Sequence, residues 1–146
     1  MTPLLVSDAA FADADAVFSA AVTHLAAKYA AIRPLAPADV PANRAEAMPA
    51  LDAWAGDPSW RTEIVRFYEA SAPVLLRPDP ELNALLRRAR RAGHEVTIVS
   101  PLPRAAVELY LSHLGVRRLA SDVFGEEDAP PAAAVTTRAQ LVAALS

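Results

Sequence analysis

Two segments of this chain of 146 residues end in side chains with chemical potential. Leu4-Leu5-Val6 is a short apolar run that closes on Ser7 and Asp8, and the β-branched run Glu95-Val96-Thr97-Ile98-Val99 closes on Ser100. Both read as brief buried strands. Polar groups at the carboxyl ends of neighbouring parallel strands converge on one crevice. An aspartate there can attack a phosphorus centre and form an aspartyl-phosphate. A serine just ahead of a helix start can hold a phosphate oxygen, assisted by the helix amides. Each residue also has a plain structural use: Asp8 can cap the turn after its strand, and Ser100 can cap the helix that Pro101 opens.

Elements that alternate along the chain must position these two groups. From Asp13 the apolar period becomes helical, through Phe18, Ala21, Val22, Leu25 and Tyr29, with Asp13 and Asp15 at the positive helix start. Residues 34–49, with Pro34, Pro37, Pro41 and Pro49, read as a loop with one short helical turn, although a weak helical signal covers Arg44–Ala55. Asp57-Pro58-Ser59 opens a helix with Trp60, Ile64, Phe67 and Tyr68 on one stripe. Trp54 and Trp60 are expected to pack that region. Asp79-Pro80 reads as an N-cap and first helical position, with Leu82, Leu85, Leu86 and Ala89 inward and Gly93 as the stop. The arginines at 87, 88, 90 and 91 then cover a solvated outer face. After the Glu95–Ser100 strand, a helix carries Val107, Tyr110, Leu111 and Leu114 inward, and a short strand follows near Leu119–Phe124. A last helix, capped by Thr136 or Thr137, presents Leu141, Val142 and Leu145. Strands alternating with helices imply parallel pairing and an α/β layered fold.

Composition removes several function classes. There is no cysteine, hence no thiol chemistry, disulfide or Cys-ligated metal. The net charge is −3, with thirteen arginines and the single lysine Lys28, and no aromatic–basic platform is visible, so no nucleic-acid partner is expected. His24, His94 and His113 lie in separate segments without ligand spacing. No apolar run approaches the ~20 residues of a membrane span, which points to a soluble cytoplasmic protein with no membrane partner.

The quoted stretches resemble the haloacid dehalogenase (HAD) superfamily, whose members are mostly phosphohydrolases. The family's first motif is an apolar strand followed by Asp-x-Asp-Gly-Thr-Leu, often with a further aspartate. In Leu4-Leu5-Val6-Ser7-Asp8-Ala9-Ala10-Phe11-Ala12-Asp13-Ala14-Asp15, Asp8 matches the nucleophile and Asp15 the later aspartate. Val96-Thr97-Ile98-Val99-Ser100 matches the second motif, a strand ending in Ser or Thr. Leu76-Arg77-Pro78-Asp79-Pro80-Glu81-Leu82 through Gly93 and Tyr110-Leu111-Ser112-His113-Leu114-Gly115 resemble its flanks. The resemblance implies a HAD-like, Rossmann-like three-layer core with a short parallel sheet from residues 1–15 and 76–146. Residues 16–75 then take the place of a reduced helical cap. It also implies catalytic roles for Asp8 and Ser100, with Asp8 as a ligand for Mg²⁺ if the protein is active. Arg138, in Thr136-Thr137-Arg138-Ala139-Gln140-Leu141, resembles the family's lysine near a helix start and stands as the third catalytic candidate. A rival alignment sets Ala129-Pro130 opposite the family's Lys-Pro and leaves no cation at that point.

The departures from the pattern bear on function. The family's general acid–base aspartate is replaced by Ala10, its glycine by Phe11 and its threonine by Ala12. Alanine moves no proton, and general acid–base help is worth roughly 100- to 10,000-fold in rate. The acidic pair that completes the family's Mg²⁺ site has no counterpart before Ser146. The expectation is therefore a degenerate, catalytically impaired HAD-like protein that acts through protein association or ligand binding, with a small phosphate as a candidate ligand. The alternative is a small Mg²⁺-dependent phosphohydrolase with Asp8 as nucleophile. With no fourth-motif strand, one edge of Leu4-Leu5-Val6 is expected to lack a strand partner. A homodimer, another protein or the final helix would cover it.

Overall fold

The computed structural model describes residues 2–11, 13–128 and 137–145. β1 (Thr2–Ser7), β2 (His94–Val99) and β3 (Asp122–Phe124) form one sheet of order β1-β2-β3. Both pairings are parallel: Leu4 lies opposite Val96 and Ser7 opposite Val99, while Val99 also meets Phe124. This register brings the ends of β1 and β2 level. Val6, Val96, Ile98 and Val123 are buried, as expected of a sheet covered by helices. β1 has β2 on one side and, among the described residues, no strand on the other.

The helices are α1 (Ala14–Tyr29), α2 (Arg44–Ala55), α3 (Trp60–Leu75), α4 (Pro80–Arg91), α5 (Arg104–His113) and α6 (Arg138–Leu145). α4 shows how the sequence writes its own element. Asp79 Oδ1 accepts from Leu82 N at 3.1 Å, and Pro80 occupies the first turn, where no N–H is needed. Leu82, Leu86 and Ala89 are wholly buried against β2, while the four arginines face outward. Truncating Leu86 to alanine is expected to cost about 2–5 kcal/mol. Gly93, at φ 91°, makes the left-handed turn into β2.

α2 takes over the last six positions of the expected 34–49 loop and fills the span Arg44–Ala55, where the sequence carries only a weak helical signal. The sequence signal was weak because prolines surround its start and Pro49 sits inside it. Asn43 settles the start: its Oδ1 accepts from Glu46 N at 3.2 Å, and Ala47, Met48, Leu51 and Ala55 are buried along one face. The expected helical turn in that loop is the 3₁₀ turn Pro37–Asp39. Trp60 is buried with its indole N–H on Asp52 Oδ1 at 2.8 Å, and Trp54 donates to Pro34 O at 3.1 Å, so both tryptophans pack this region.

Helices of the two expected segments share one core. α3 packs on α1 and on α5, and its buried Tyr68 meets Tyr110 edge-on at 6.1 Å. The strand expected over 119–124 is shorter, because Arg117–Leu119 makes a 3₁₀ turn first. Gly125 follows β3 at a point where an added Cβ would lie 2.7 Å from the backbone of Arg104, so only glycine lets the strand end approach α5. α6 starts at a reciprocal cap: Gln140 N donates to Thr137 Oγ1 at 3.3 Å and Thr137 N to Gln140 Oε1 at 3.0 Å. The rival cap Thr136 and the Ala129-Pro130 pair lie outside the described residues. In α6 only Leu141 is buried; Val142, expected inward, is 38% exposed. The architecture is a mixed α/β fold with a short parallel sheet, consistent with a reduced Rossmann-like fold.

Candidate functional site

Asp8 opens a single 3₁₀ turn, Asp8–Ala10, directly after β1. The cap of that turn is Ser7, whose Oγ accepts from Ala9 N at 3.1 Å, so Asp8 does not do that work. Its side chain is instead fully buried. One oxygen, Oδ2, collects three donors: Ser100 Oγ at 2.6 Å, Tyr110 OH at 2.8 Å and Arg44 Nη1. The other, Oδ1, is buried and has no hydrogen-bond partner.

Each donor is placed by a different element. Ser100 follows β2, and its backbone N–H donates to Phe124 O at 2.9 Å, which extends the β2–β3 ladder. Its hydroxyl also accepts from Leu102 N at 3.1 Å, so Ser100 combines a capping role with the contact to Asp8. Tyr110 projects from the buried face of α5, with its ring edge-on to Phe11 at 5.9 Å. Arg44 enters from the first turn of α2 and is buried. Its Nε lies 3.6 Å from Asp15 Oδ1, at the exposed rim.

The electrostatics follow from burial. Burial works against the Arg44 charge, but the Asp8 carboxylate and its hydrogen bond outweigh that, and the guanidinium holds its proton more tightly than usual. Burial, reinforced by the Asp8 charge and hydrogen bond, pushes the Tyr110 phenol well above its ordinary value. Tyr110 is thus a hydrogen-bond donor and not a base. A cavity of about 450 Å³ at the ends of β1 and β2 is bordered by Ser7, Asp8, Asp15, Asn43, Arg44 and Pro101.

Asp8 and Ser100 therefore meet, as the sequence suggests. Arg138 does not hold the Asp8 carboxylate: its guanidinium holds Asp79 at 2.7 and 3.1 Å, approaches Glu81 at 3.4 Å and donates to Ala10 O, in the turn that Asp8 opens, at 2.9 Å. The cation on Asp8 is Arg44. Asp13 accepts from Arg77 N at 3.1 Å, and Lys28 pairs with Glu63 at 2.7 Å. Sequence reading missed Arg44 and the hydroxyl role of Tyr110. Tyr110 was legible only as part of an apolar stripe; its need for a polar partner when buried is the signal that could have found it. Arg44 gave no local signal.

The resemblance implies a Mg²⁺ ion on Asp8, and the donor set does not fit one. The Arg44 guanidinium occupies Oδ2 and also reaches Asp15, so a dication on this carboxylate would sit beside a fixed positive charge. Mg²⁺ asks for near-octahedral oxygen ligands. Among the described residues, no three His, Asp or Glu side chains are grouped to hold a metal.

No family model matches the chain, and no curated protein matches it. Among solved structures, it is similar to one titled putative beta-phosphoglucomutase from Thermotoga maritima. The TM-score is 0.53 at 14% identity, over 90% of this chain and 64% of that one. The chain thus spans less than two thirds of the length of that neighbour and shares with it a fold.

Proposed function

We propose that this chain is a HAD-like protein impaired in phosphoryl transfer, which works by association. The observation that carries the reading is the state of Asp8. Its Oδ2 is taken by Ser100, Tyr110 and the buried Arg44, and the carboxylate has no exposed surface for a phosphorus centre to reach. Ala10 stands where the family's proton-transfer aspartate would be. With Asp8 and Asp15 negative and Arg44 positive, the crevice carries an excess of negative charge, which disfavours a phosphate dianion. An anion taking Arg44 Nη1 would displace a buried carboxylate, and a buried unpaired charge is costly.

The association half rests on the edge of β1 that has no strand beside it among the described residues. A six-residue strand that, among the described residues, has no strand on one side can pair antiparallel with its own copy about a two-fold axis, with no second species needed. The occupant we assign is a second copy of the chain. Light scattering on a size-exclusion column is expected to give twice the chain mass; a monomer with exchange-protected amides at residues 4–7 overturns this half.

One observation favours the enzymatic alternative: the bare, buried Oδ1 of Asp8 is a lone-pair donor held in a fixed position. Phosphate release from a panel of phosphate esters with Mg²⁺, compared with Asp8→Asn, separates the two. No release above the variant is expected. Release abolished by Asp8→Asn makes the protein a phosphohydrolase.

A further inference from the structure

α4 carries four arginines within five positions, turned outward because Leu82, Leu86 and Ala89 face the sheet. Two of them have structural uses. Arg90 donates to Arg118 O at 2.7 Å and Arg88 to Leu145 O at 3.2 Å. Arg87 and Arg91 make no hydrogen bond or ion pair with any described residue. They are one helical turn apart on the same face, where like charges repel. Favourable interaction with the helix C-terminus accounts for cations in the last turn, at 88, 90 and 91. It accounts neither for Arg87 nor for the concavity these side chains border.

That concavity has a volume of about 470 Å³. Arg87, Arg88, Arg91 and Asn83 line its polar side, and Pro78 and Leu114 are among its apolar walls. Asp79 also borders it, with its carboxylate held by Arg138. It shares no lining residue with the Asp8 cavity. In a chain of net charge −3, three guanidiniums at one hollow reverse the overall sign locally.

We propose that this hollow binds a small organic diphosphate. Guanidinium groups match phosphate oxygens in a bidentate fork, and unpaired ones lose no partner when they do so. Two arginines one turn apart, about 5–6 Å between Cβ atoms, suit two adjoining phosphoryl groups. Pro78 and Leu114 offer apolar contact to the organic part, and the volume lies in the range of small-molecule sites. A single-stranded nucleic acid fits less well, because no aromatic side chain lines the hollow for base stacking. The site is independent of the proposed fate of Asp8.

Isothermal titration with inorganic pyrophosphate and with a nucleoside diphosphate, at about 0.15 M ionic strength, tests this. Saturable binding of both is expected, tighter for the nucleotide. The Arg87→Ala/Arg91→Ala double variant, altered only at exposed positions, is expected to lose roughly tenfold or more in affinity, and Arg66→Ala on α3 almost nothing. No saturable heat by about 10 mM of either probe overturns the proposal. Equal affinity in the double variant overturns it as well. Tighter retention of a single-stranded oligonucleotide than of the diphosphate would replace it with a nucleic-acid surface.

Discussion

Arg44 and Asp8, 36 positions apart in the chain, meet as a buried ion pair that ties the first turn of α2 to the end of β1. The pair does two things at once. It ties helix α2 to the crevice, and it gives the Asp8 carboxylate a counter-charge.

Removing one member of such a pair leaves the charge of the other buried without a counter-charge. Arg44→Met is therefore expected to cost about 3–5 kcal/mol, as uncompensated buried charges do. Adding Asp8→Asn to it should recover part of that loss, because the stranded charge disappears. Urea unfolding of the two single variants and the double measures this coupling. An Arg44→Met protein as stable as the parent would show that the pair contributes nothing.

Tyr110→Phe keeps the ring between Phe11 and Tyr68 and removes only the hydroxyl that donates to Asp8. A hydrogen bond to a charged group is worth about 1.5–3 kcal/mol, which sets the expected loss. Ser100→Ala should cost more, since the same oxygen also accepts from Leu102 N. The reverse order in chemical denaturation would mean that the capping contact is idle.

Alkaline pH probes the same cluster. Burial raises the phenols of Tyr110 and Tyr68 above the ordinary value, and in Tyr110 the Asp8 charge adds to it. Both groups bind their proton more tightly folded than unfolded. Their stabilisation is complete below the unfolded value of about 10 and is lost as pH rises past it. The phenolate absorbance of these two residues should appear together with the loss of near-UV circular dichroism. Ionisation well before unfolding would show that the cluster is open to water.

What could be read in the sequence was what is local. The ends of β1 and β2, the outward arginines and the Asp79-Pro80 start of α4 each follow from a few adjacent residues. α2 was obscured because prolines argue against a helix more loudly than one Asn43 cap argues for it. Arg44 was illegible for another reason. A buried arginine is explained only by its partner, and that partner lies in a different element. Arg138 shows the converse: its position in α6 resembled a motif, but the nearest strong acid, Asp79, holds its charge. Val142 looked inward by period, yet in this helix of eight residues Leu141 is buried and Leu145 packs against the core while Val142 stays exposed.

An acid-side test lies at the α2–α3 junction. Arg61 grips Asp52 and also holds Glu126 beyond β3. Hydrogen bonds from Arg61 and then Trp60 lower the Asp52 carboxyl to about 2. Its contribution to stability is present above the unfolded value of about 3.9 and disappears as pH falls through the folded one. The group is partly exposed, so solvent screening keeps that contribution small. Carboxyl NMR titration should show Asp52 moving upward in Arg61→Ala; an unmoved midpoint would leave Trp60 as the whole cause.

Arg138 offers the sharpest contrast between a structural and a chemical role. Its guanidinium joins the first residue of α6 to Asp79, which is itself the N-cap of α4. If this is its work, Arg138→Gln loosens α6, so that amide exchange quickens across 138–145. Global stability should fall by less than about 1 kcal/mol, as for other partly exposed pairs. Asp79→Ala should cost more, because the cap adds about 1 kcal/mol to the loss. Arg138 would be the motif cation of an active site under the opposite result: unchanged exchange in α6, together with phosphate-ester release that the parent shows and Arg138→Gln lacks. The two outcomes are exclusive at the level of α6, since one guanidinium bound bidentate to Asp79 cannot at the same time leave it for a substrate.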